Sequence, residues 1–160
     1  MDDAEQRIRL NLLQDAVRIL TESPGISAYI DVGHPRWLDP EEAASRLQRA
    51  GIEQASGFSI NVSSHASTEE STSYGYAIAQ RVRRSYIVDV GRSGAGYPPD
   101  GEWCNAPLAR LGPSPTTQVQ TEGCDAWLWI KPPGESDGQC NGGPAAGTWS
   151  ADLAARLLAR

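Results

Sequence analysis

Apolar side chains recur at helical spacing near the start of the chain. Within residues 3–20 this set comprises Ile8, Leu12, Leu13, Ala16, Val17 and Leu20. The spacing predicts an amphipathic helix, which Ser23-Pro24-Gly25 ends because proline and glycine interrupt helices.

Short apolar runs bounded by glycine, proline or polar residues follow, and each predicts a β-strand. They cover residues 28–32, 57–62, 86–90 and 126–130. Helical patterns separate the first three runs: one begins after Asp39 and closes at Gly51, and another lies around residues 74–82. A long stretch rich in glycine and proline, residues 91–122, has no regular pattern, and Ser150 opens a last helix.

Helix and strand alternate along the chain, an order typical of an α/β fold with a parallel sheet and outer helices. We therefore predict about four parallel strands in a single domain, because no internal repeat or linker divides the chain. With so few strands we expect the sheet to stay open and its first and last strands to expose apolar edges.

Polar residues occupy one place relative to each predicted strand, at or just beyond its carboxyl end. They are Asp31, His34, Asn61, Asp89, Arg92, Lys131 and Glu135. Because the carboxyl ends of parallel strands meet at one edge of a sheet, where sites commonly form, we expect these side chains and Asp137 to converge there.

Composition narrows the classes of function. The formal net charge of −6 argues against a nucleic-acid partner, and no apolar run is long enough to predict a membrane span. The first residues carry no basic segment followed by an apolar one, so we expect no secretory signal. Lys131 is the only lysine in a chain whose other basic residues are arginines.

Three cysteines, Cys104, Cys124 and Cys140, allow one disulfide and one free thiol. Their spacing fits no zinc motif, and a metal site at His34 would lack further ligands. From the residues alone, the pairing of the cysteines stays open.

Three short motifs have competing interpretations. The glycine-rich residues 88–96 resemble a phosphate-binding loop in outline, but no helix follows to hold a phosphate, so nucleotide binding is disfavoured. Asn61-Val62-Ser63 is formally a glycosylation sequon, but its place at a strand end argues against modification. Trp37 with His34 offers the flat aromatic and the hydrogen-bonding group that a glucose ring needs.

Several segments resemble, in order, the motifs of glycoside hydrolase family 6, the inverting cellulases. The most specific is the W-x-K-x-x-G-E-x-D-G segment, here Trp129-Ile130-Lys131-Pro132-Pro133-Gly134-Glu135-Ser136-Asp137-Gly138. The four others are D-A-G-H-x-x-W-L from Asp31, N-V-S-N-F from Asn61, D-x-x-R-x-G from Asp89 and W-C-N from Trp103. The first has Val32 in place of alanine. The second of these departs from the family at Ser64 and His65.

The resemblance implies a role for each matched residue. Asp137 is similar to the proposed catalytic base, and Asp31 to the carboxylate that supports the catalytic acid. Asp89 and Arg92 are similar to a buried supporting ion pair, and Cys104–Cys140 to the family disulfide, which leaves Cys124 free. The implied sugar ligands are His34, Trp37, Asn61, Trp103, Lys131 and Glu135.

The resemblance also implies that residues 1–160 form the carboxyl-terminal portion of one catalytic domain, a partial distorted parallel (β/α) barrel. The family's general acid lies on strands that precede this portion, so we expect the isolated chain not to hydrolyse β-1,4-glucans with inversion on its own. A separately encoded half-domain is then an expected partner, beside a β-1,4-glucan. No metal or cofactor is implied. The resemblance also implies that the parent protein is secreted, and the location of the fragment stays open because we expect no secretory signal in it.

Two alternatives remain open at this stage: a non-catalytic glucan-binding module, and a remnant of a split or truncated gene. The motifs do not distinguish endo- from exo-action.

Overall fold

The computed structural model describes residues 2–159. Within them, helices and strands alternate until the last strand. They are α1 (Asp3–Thr21), β1 (Tyr29–Asp31), α2 (Pro40–Arg49), β2 (Gly57–Ile60), α3 (Thr68–Val82), β3 (Ser85–Asp89), β4 (Cys124–Leu128) and α4 (Ala151–Leu158). The four strands form one sheet in the order β1-β2-β3-β4, and every pairing is parallel. The predicted α/β class is confirmed.

Side-chain caps explain where the helices begin. The Asp39 carboxylate accepts the N–H groups of Glu41 and Glu42 at the start of α2. Helix α3 begins at Thr68, earlier than the prediction of residues 74–82. Its Ser67 cap accepts the N–H of Glu70 at 3.1 Å, so the Ser/Thr-rich stretch taken as a loop opens the helix.

Strand β4 differs from the predicted run of residues 126–130. It begins at Cys124 and ends at Leu128, so the Trp127–Ile130 segment crosses the strand end instead of forming one buried strand. Beyond it, Trp129 Nε1 donates to Pro113 O at 2.9 Å, and Ile130 is exposed.

The main core lies between one face of the sheet and helices α2 and α3. Phe58, Ile60, Tyr86 and Val88 pack there against Ile78 and other helix residues. Gly75 lets α3 approach, because a Cβ at this position would lie only 2.5 Å from Tyr86 Cε2. Helices α2 and α3 therefore cover this face, and the alternate residues of each strand lie on the opposite face.

On that opposite face a hydrogen bond reaches across the whole sheet. Tyr29 Oη on β1 donates to Asp125 Oδ2 on β4 at 2.8 Å. In a flat sheet these strands would be roughly 14 Å apart, so the two side chains reach towards each other across β2 and β3. Gly57 on β2 leaves room for the tyrosine ring, since a Cβ there would lie 2.9 Å from Tyr29 Cε1. Burial and the bond to Asp125 raise the pKa of Tyr29 to about 12.

The two edges of the sheet differ, which corrects the prediction that both are open. Trp127 on β4 exchanges two backbone hydrogen bonds of 2.9 Å with Thr116, so a loop segment covers this edge. Among residues 2–159, β1 has a strand neighbour on one side only, which is β2. Ala28 O and Val32 N–H bond to β2, so the alternating backbone groups of Tyr29 and Asp31 point to the open edge.

Helix α1 is apolar on two faces. Only Val17 of the predicted apolar face is buried, and Leu13 is half-buried. Four other large apolar side chains of the helix are 45–64% exposed: Ile8, Leu12 and Leu20 of that face, and Ile19. No helix within residues 2–159 has the length and apolar content needed to cross a bilayer.

A groove of about 440 Å³ lies between α1, α2 and the open edge of β1. We call it the edge groove. Its apolar lining includes residues of all three elements and of the loop between β1 and α2: Leu10, Leu13, Ile30, Val32, Trp37, Leu38 and Leu47.

Candidate active site

Asp89, at the end of β3, ties together three loops at the carboxyl edge of the sheet. Its buried carboxylate accepts the backbone N–H groups of Ser63, Gly91 and Lys131, each at 3.0 Å. Asn61 adds a side-chain hydrogen bond to Asp89 O at 2.9 Å. Asp89 therefore holds the loops after β2, β3 and β4 in one arrangement.

The predicted Asp89–Arg92 ion pair is wrong. The Asp89 oxygens are taken by backbone N–H groups, and Arg92 instead binds the Asp137 carboxylate, with Nη1 2.6 Å from Oδ2. Arg92 Nη2 also donates to Ser63 O. Both side chains of the new pair are almost fully buried, with exposures of 7% for Arg92 and 6% for Asp137.

Asp137 is surrounded by groups that favour its ionised form. Besides Arg92, it accepts the Asn105 N–H at 2.8 Å, and Lys131 Nζ lies 3.3 Å from Oδ1. Burial alone raises the pKa of this carboxyl, but the hydrogen bond from Asn105 and the two cations outweigh burial and lower the pKa below its ordinary value. Asp137 is thus an ionised carboxylate at the carboxyl edge of the sheet.

Lys131 connects Asp137 to a second carboxylate. Its ammonium group donates to Glu135 Oε1 at 2.9 Å while keeping its contact with Asp137. Glu135 is the more accessible of the two carboxylates, with 30% of its side chain exposed. The only lysine in the chain therefore sits between two acidic side chains of its own loop.

Asn105 fastens the Asp137 loop to the loop that follows Trp103. Its Oδ1 accepts the Asp137 N–H at 2.8 Å, and its Nδ2 donates to Gly138 O and Cys140 O. The predicted Cys104–Cys140 disulfide is confirmed, with Cα atoms 6.1 Å apart, and Cys124 is a buried free thiol. The sequence analysis missed Asn105 itself, although it completes the W-C-N motif.

His34 and Trp37 form an aromatic corner after β1. His34 Nδ1 lies 2.7 Å from the Tyr97 hydroxyl, and the Arg36 guanidinium lies 4.1 Å from the centre of the Tyr97 ring. The Trp37 ring rests on Gly33 and is 61% exposed. The sequence analysis also missed Tyr97, because it lies in the irregular glycine- and proline-rich stretch.

Asp31 stands at the end of β1 beside this corner. Oδ1 accepts the Gly33 N–H at 3.0 Å. Partial desolvation raises the pKa of Asp31 against that hydrogen bond and the charge of His34, and the Asp89 carboxylate raises it further. Asp31 and Asp137 thus have pKa values shifted in opposite directions, as acid–base sites often do.

His65, which replaces the phenylalanine of the family motif, supports Trp103. Nε2 lies 3.0 Å from Trp103 O, and Nδ1 is buried without a hydrogen-bond partner among the described residues. Desolvation and the neighbouring Arg92 lower the pKa of His65, so the neutral ring is favoured. The Trp103 indole itself is 63% exposed.

All the predicted site residues except Trp103 fall into two groups, and Trp103 lies on the loop whose Asn105 N–H binds Asp137. One is a continuous network of hydrogen bonds and ion pairs through Asn61, Asp89, Arg92, Lys131, Glu135 and Asp137. The second is the corner after β1, with Asp31, His34 and Trp37. It meets the first group where the Asn61 N–H donates to Gly33 O at 2.7 Å.

A parallel α/β sheet whose carboxyl edge gathers carboxylates, cations and exposed tryptophans has its candidate site where sites form in barrel-type α/β proteins. The model of the family Glycosyl hydrolases family 6 matches residues 2–160, and the chain belongs to that family.

Similar proteins include Endoglucanase A of Cellulomonas fimi, 41% identical over 98% of this chain, and Endoglucanase 1 of Streptomyces halstedii, 38% identical over 99%. The match covers 34% and 50% of those proteins, so the chain spans between a third and a half of their length. The structure is also similar to the endoglucanase Cel6 from Mycobacterium tuberculosis, solved in complex with methyl-cellobiosyl-4-deoxy-4-thio-β-D-cellobioside. The TM-score is 0.93 at 41% identity, over 99% of this chain and 55% of that one.

Proposed function

We propose that this chain supplies the base side of an inverting β-1,4-glucanase site. The observation that carries the proposal is Asp137, an almost buried carboxylate kept ionised by Arg92, Lys131 and the Asn105 N–H. Inversion requires a carboxylate that activates a water molecule on one face of the sugar, and a protonated carboxyl group on the other.

The other sugar contacts divide into stacking and hydrogen bonding. Trp37 and Trp103 present exposed indole faces for the apolar faces of glucose rings. His34, Lys131 and Glu135 are the proposed ligands of sugar hydroxyl groups, and Asp31, with its raised pKa, is the proposed supporting carboxylate beside the general acid. Asn61, predicted as a further sugar ligand, is fully buried, and its side-chain amide bonds to Ala66 and to Asp89 O, so it holds the loops instead. Inversion places the two carboxyl groups about 6.5–9.5 Å apart across the bond. Glu135 is a poor candidate for the acid, because it belongs to the Asp137 loop and pairs with Lys131.

We propose that a complementary half-domain brings the acid and docks on the open edge of β1. A parallel strand there would satisfy the outward backbone groups of Tyr29 and Asp31. The edge groove offers adjoining apolar surface for its side chains. The disulfide fits an oxidising, extracellular compartment for the assembled site.

The test is release of reducing sugar from a soluble cellulose derivative. We expect the chain alone to be inactive, because general acid catalysis is worth about 10²–10⁴-fold in rate. Mixing it with the preceding barrel segment of Endoglucanase A from Cellulomonas fimi should restore hydrolysis. Asp137→Ala should then abolish it, while the exposed Leu108→Ala should not. Robust hydrolysis by the unmixed chain would refute the proposal that a separate half-domain brings the acid, and hydrolysis in the mixture that survives Asp137→Ala would refute Asp137 as the base.

A second candidate is glucan binding without catalysis, favoured by the exposed indoles of Trp37 and Trp103. Calorimetric titration with cellohexaose distinguishes it. Binding that Trp103→Ala weakens, together with inactivity in every mixture, would favour the binding module over the split enzyme.

A further inference from the structure

Trp149 is an exposed indole that none of the family motifs of the sequence analysis includes. It lies directly before the Ser150 cap of α4 and is 61% exposed. Its position is nevertheless tightly held, because Nε1 donates to Pro133 O at 3.0 Å. The ring edge also packs on Gly134, where a Cβ would lie 2.8 Å from Nε1. An exposed tryptophan held at its edge leaves a ring face open to a ligand.

The backbone places Trp149 beside Glu135. The two residues form an antiparallel bridge, with Ser136 N–H donating to Thr148 O and Ser150 N–H donating to Gly134 O, each at 2.9 Å. Because these bonds flank the pair, Glu135 and Trp149 form a non-hydrogen-bonded pair, the type in which the two side chains leave the same face of the ribbon at the shortest separation.

Glu135 has acceptor capacity that the protein does not use. Oε1 takes the hydrogen bond from Lys131, and within residues 2–159 Oε2 has no protein donor. A free carboxylate oxygen beside an open indole face matches the two surfaces of a glucose unit, which has an apolar ring face and a rim of hydroxyl groups.

We propose that Trp149 is a sugar-stacking platform, which binds the ring face of a β-1,4-linked glucose unit while Glu135 Oε2 accepts a hydroxyl proton of the same chain. The platform extends the glucan site outward from Asp137, through Lys131 and Glu135, along the 131–138 loop. It rests on the glucan binding proposed above and adds a subsite to it. Its ligand is a neutral glucan segment.

The experiment is calorimetric titration of the full chain with cellohexaose. Trp149→Ala should raise the dissociation constant roughly threefold to tenfold, the range expected for loss of one aromatic contact. Trp149→Phe should keep most of the affinity, because it retains a flat ring. Leu158→Ala, a change at an equally exposed apolar residue of α4, should leave the affinity unchanged.

A second readout needs no mutation. N-bromosuccinimide oxidises accessible indoles, and peptide mass spectrometry reports the modification of each tryptophan. Cellohexaose should protect Trp149 from oxidation, while the buried thiol Cys124 serves as a probe of unfolding. Because this readout uses the unmutated chain, it tests the platform even if Trp149→Ala fails to fold.

The outcomes separate the two proposals. Cellohexaose binding that is unchanged by Trp149→Ala, with Trp149 unprotected, would overturn the platform and leave the glucan site in place. A wild-type chain that does not bind cellohexaose would overturn both glucan binding by this chain and the platform. Weakened binding together with protection would support both.

Discussion

At the scale of the residue, the surroundings of a carboxylate decide its role. Asp89 and Asp137 are both almost buried at the same edge of the sheet. Asp89 is bound by backbone N–H groups and acts as a fastening between loops. Asp137 is bound by one N–H and two cations, so it carries its charge into the site.

Removal of the Asp137 carboxylate should destabilise the protein as well as the site. Asp137→Ala leaves the buried Arg92 without its carboxylate, which costs about 3 kcal/mol in the free energy of unfolding. Asp137→Asn should cost less, because it keeps the shape and an oxygen for the Asn105 N–H. Urea denaturation measures both.

Glu135→Ala is the matched control, since its carboxylate is more exposed and should cost under about 1 kcal/mol. Equal costs for Asp137→Ala and Glu135→Ala would contradict the assignment of Asp137 as the buried partner of Arg92.

His65 should make stability depend on pH. Its pKa is lowered in the folded state from an ordinary value of 6.5, so the unfolded chain binds more protons than the folded one between those two values. Stability should therefore fall as the pH drops through and below 6.5. His34 acts in the same direction, because desolvation lowers its pKa too.

Thermal melts between pH 7 and about pH 5 test this, in the range where histidines titrate. His65→Phe, the residue of the family motif, should flatten the profile in part and leave the His34 contribution. Identical profiles for the wild type and His65→Phe would exclude His65 as a source of the dependence.

At the scale of the element, close approach decides which substitutions a helix tolerates. Gly75 would gain helix propensity on replacement by alanine, but the new Cβ would lie 2.5 Å from Tyr86 Cε2 and 2.7 Å from Ile60 Cδ1. Both neighbours are fully buried core side chains. Packing should outweigh propensity here, since the core has no room to relax.

We therefore expect Gly75→Ala to lower the free energy of unfolding by about 1–3 kcal/mol, as overpacked cores do. Ser73→Ala lies on the exposed side of the same helix and should be neutral or slightly stabilising. Chemical denaturation of the two variants gives the comparison. A stabilised Gly75→Ala protein would show that α3 does not press on β3 as described.

At the scale of the whole molecule, one side of the sheet has an open strand edge beside an apolar groove within residues 2–159. The open edge of β1 and the edge groove lie on the side towards which a preceding strand would add, and α1 exposes a second apolar face away from the groove. Solved relatives such as the Mycobacterium tuberculosis Cel6 chain are nearly twice as long as the matched region, which covers 55% of that chain.

The chain alone should associate through the open edge of β1 and the exposed apolar face of α1, because exposed apolar faces and open strand edges promote self-association. Light scattering after size-exclusion chromatography should show a mass that rises with concentration. Leu12→Glu, in the middle of the exposed α1 face, should reduce the association. Leu108→Glu introduces the same charge in a loop and should not. A monodisperse monomer at high concentration would contradict this prediction.

Sequence patterns alone were enough to predict the order of helices and strands, the parallel sheet and the gathering of polar residues at its carboxyl edge. Each follows from local periodicity and from the fixed direction of parallel strands, which need no knowledge of distant contacts. Motif resemblance added the family and the Cys104–Cys140 pair. The ends of the helices were predicted less well. Helix α3 begins at Thr68, because its Ser67 cap lies in a polar stretch that the pattern assigned to a loop.

Only the tertiary structure decided which groups meet. Arg92 pairs with Asp137 instead of Asp89, Tyr97 contacts His34, and Tyr29 bonds to Asp125 across the sheet. The structure also showed that α1 buries one apolar face and exposes another. The physical reason is that such contacts depend on the curvature of the sheet and on loop paths, whereas periodicity along a chain reports only which side of its own element a residue faces.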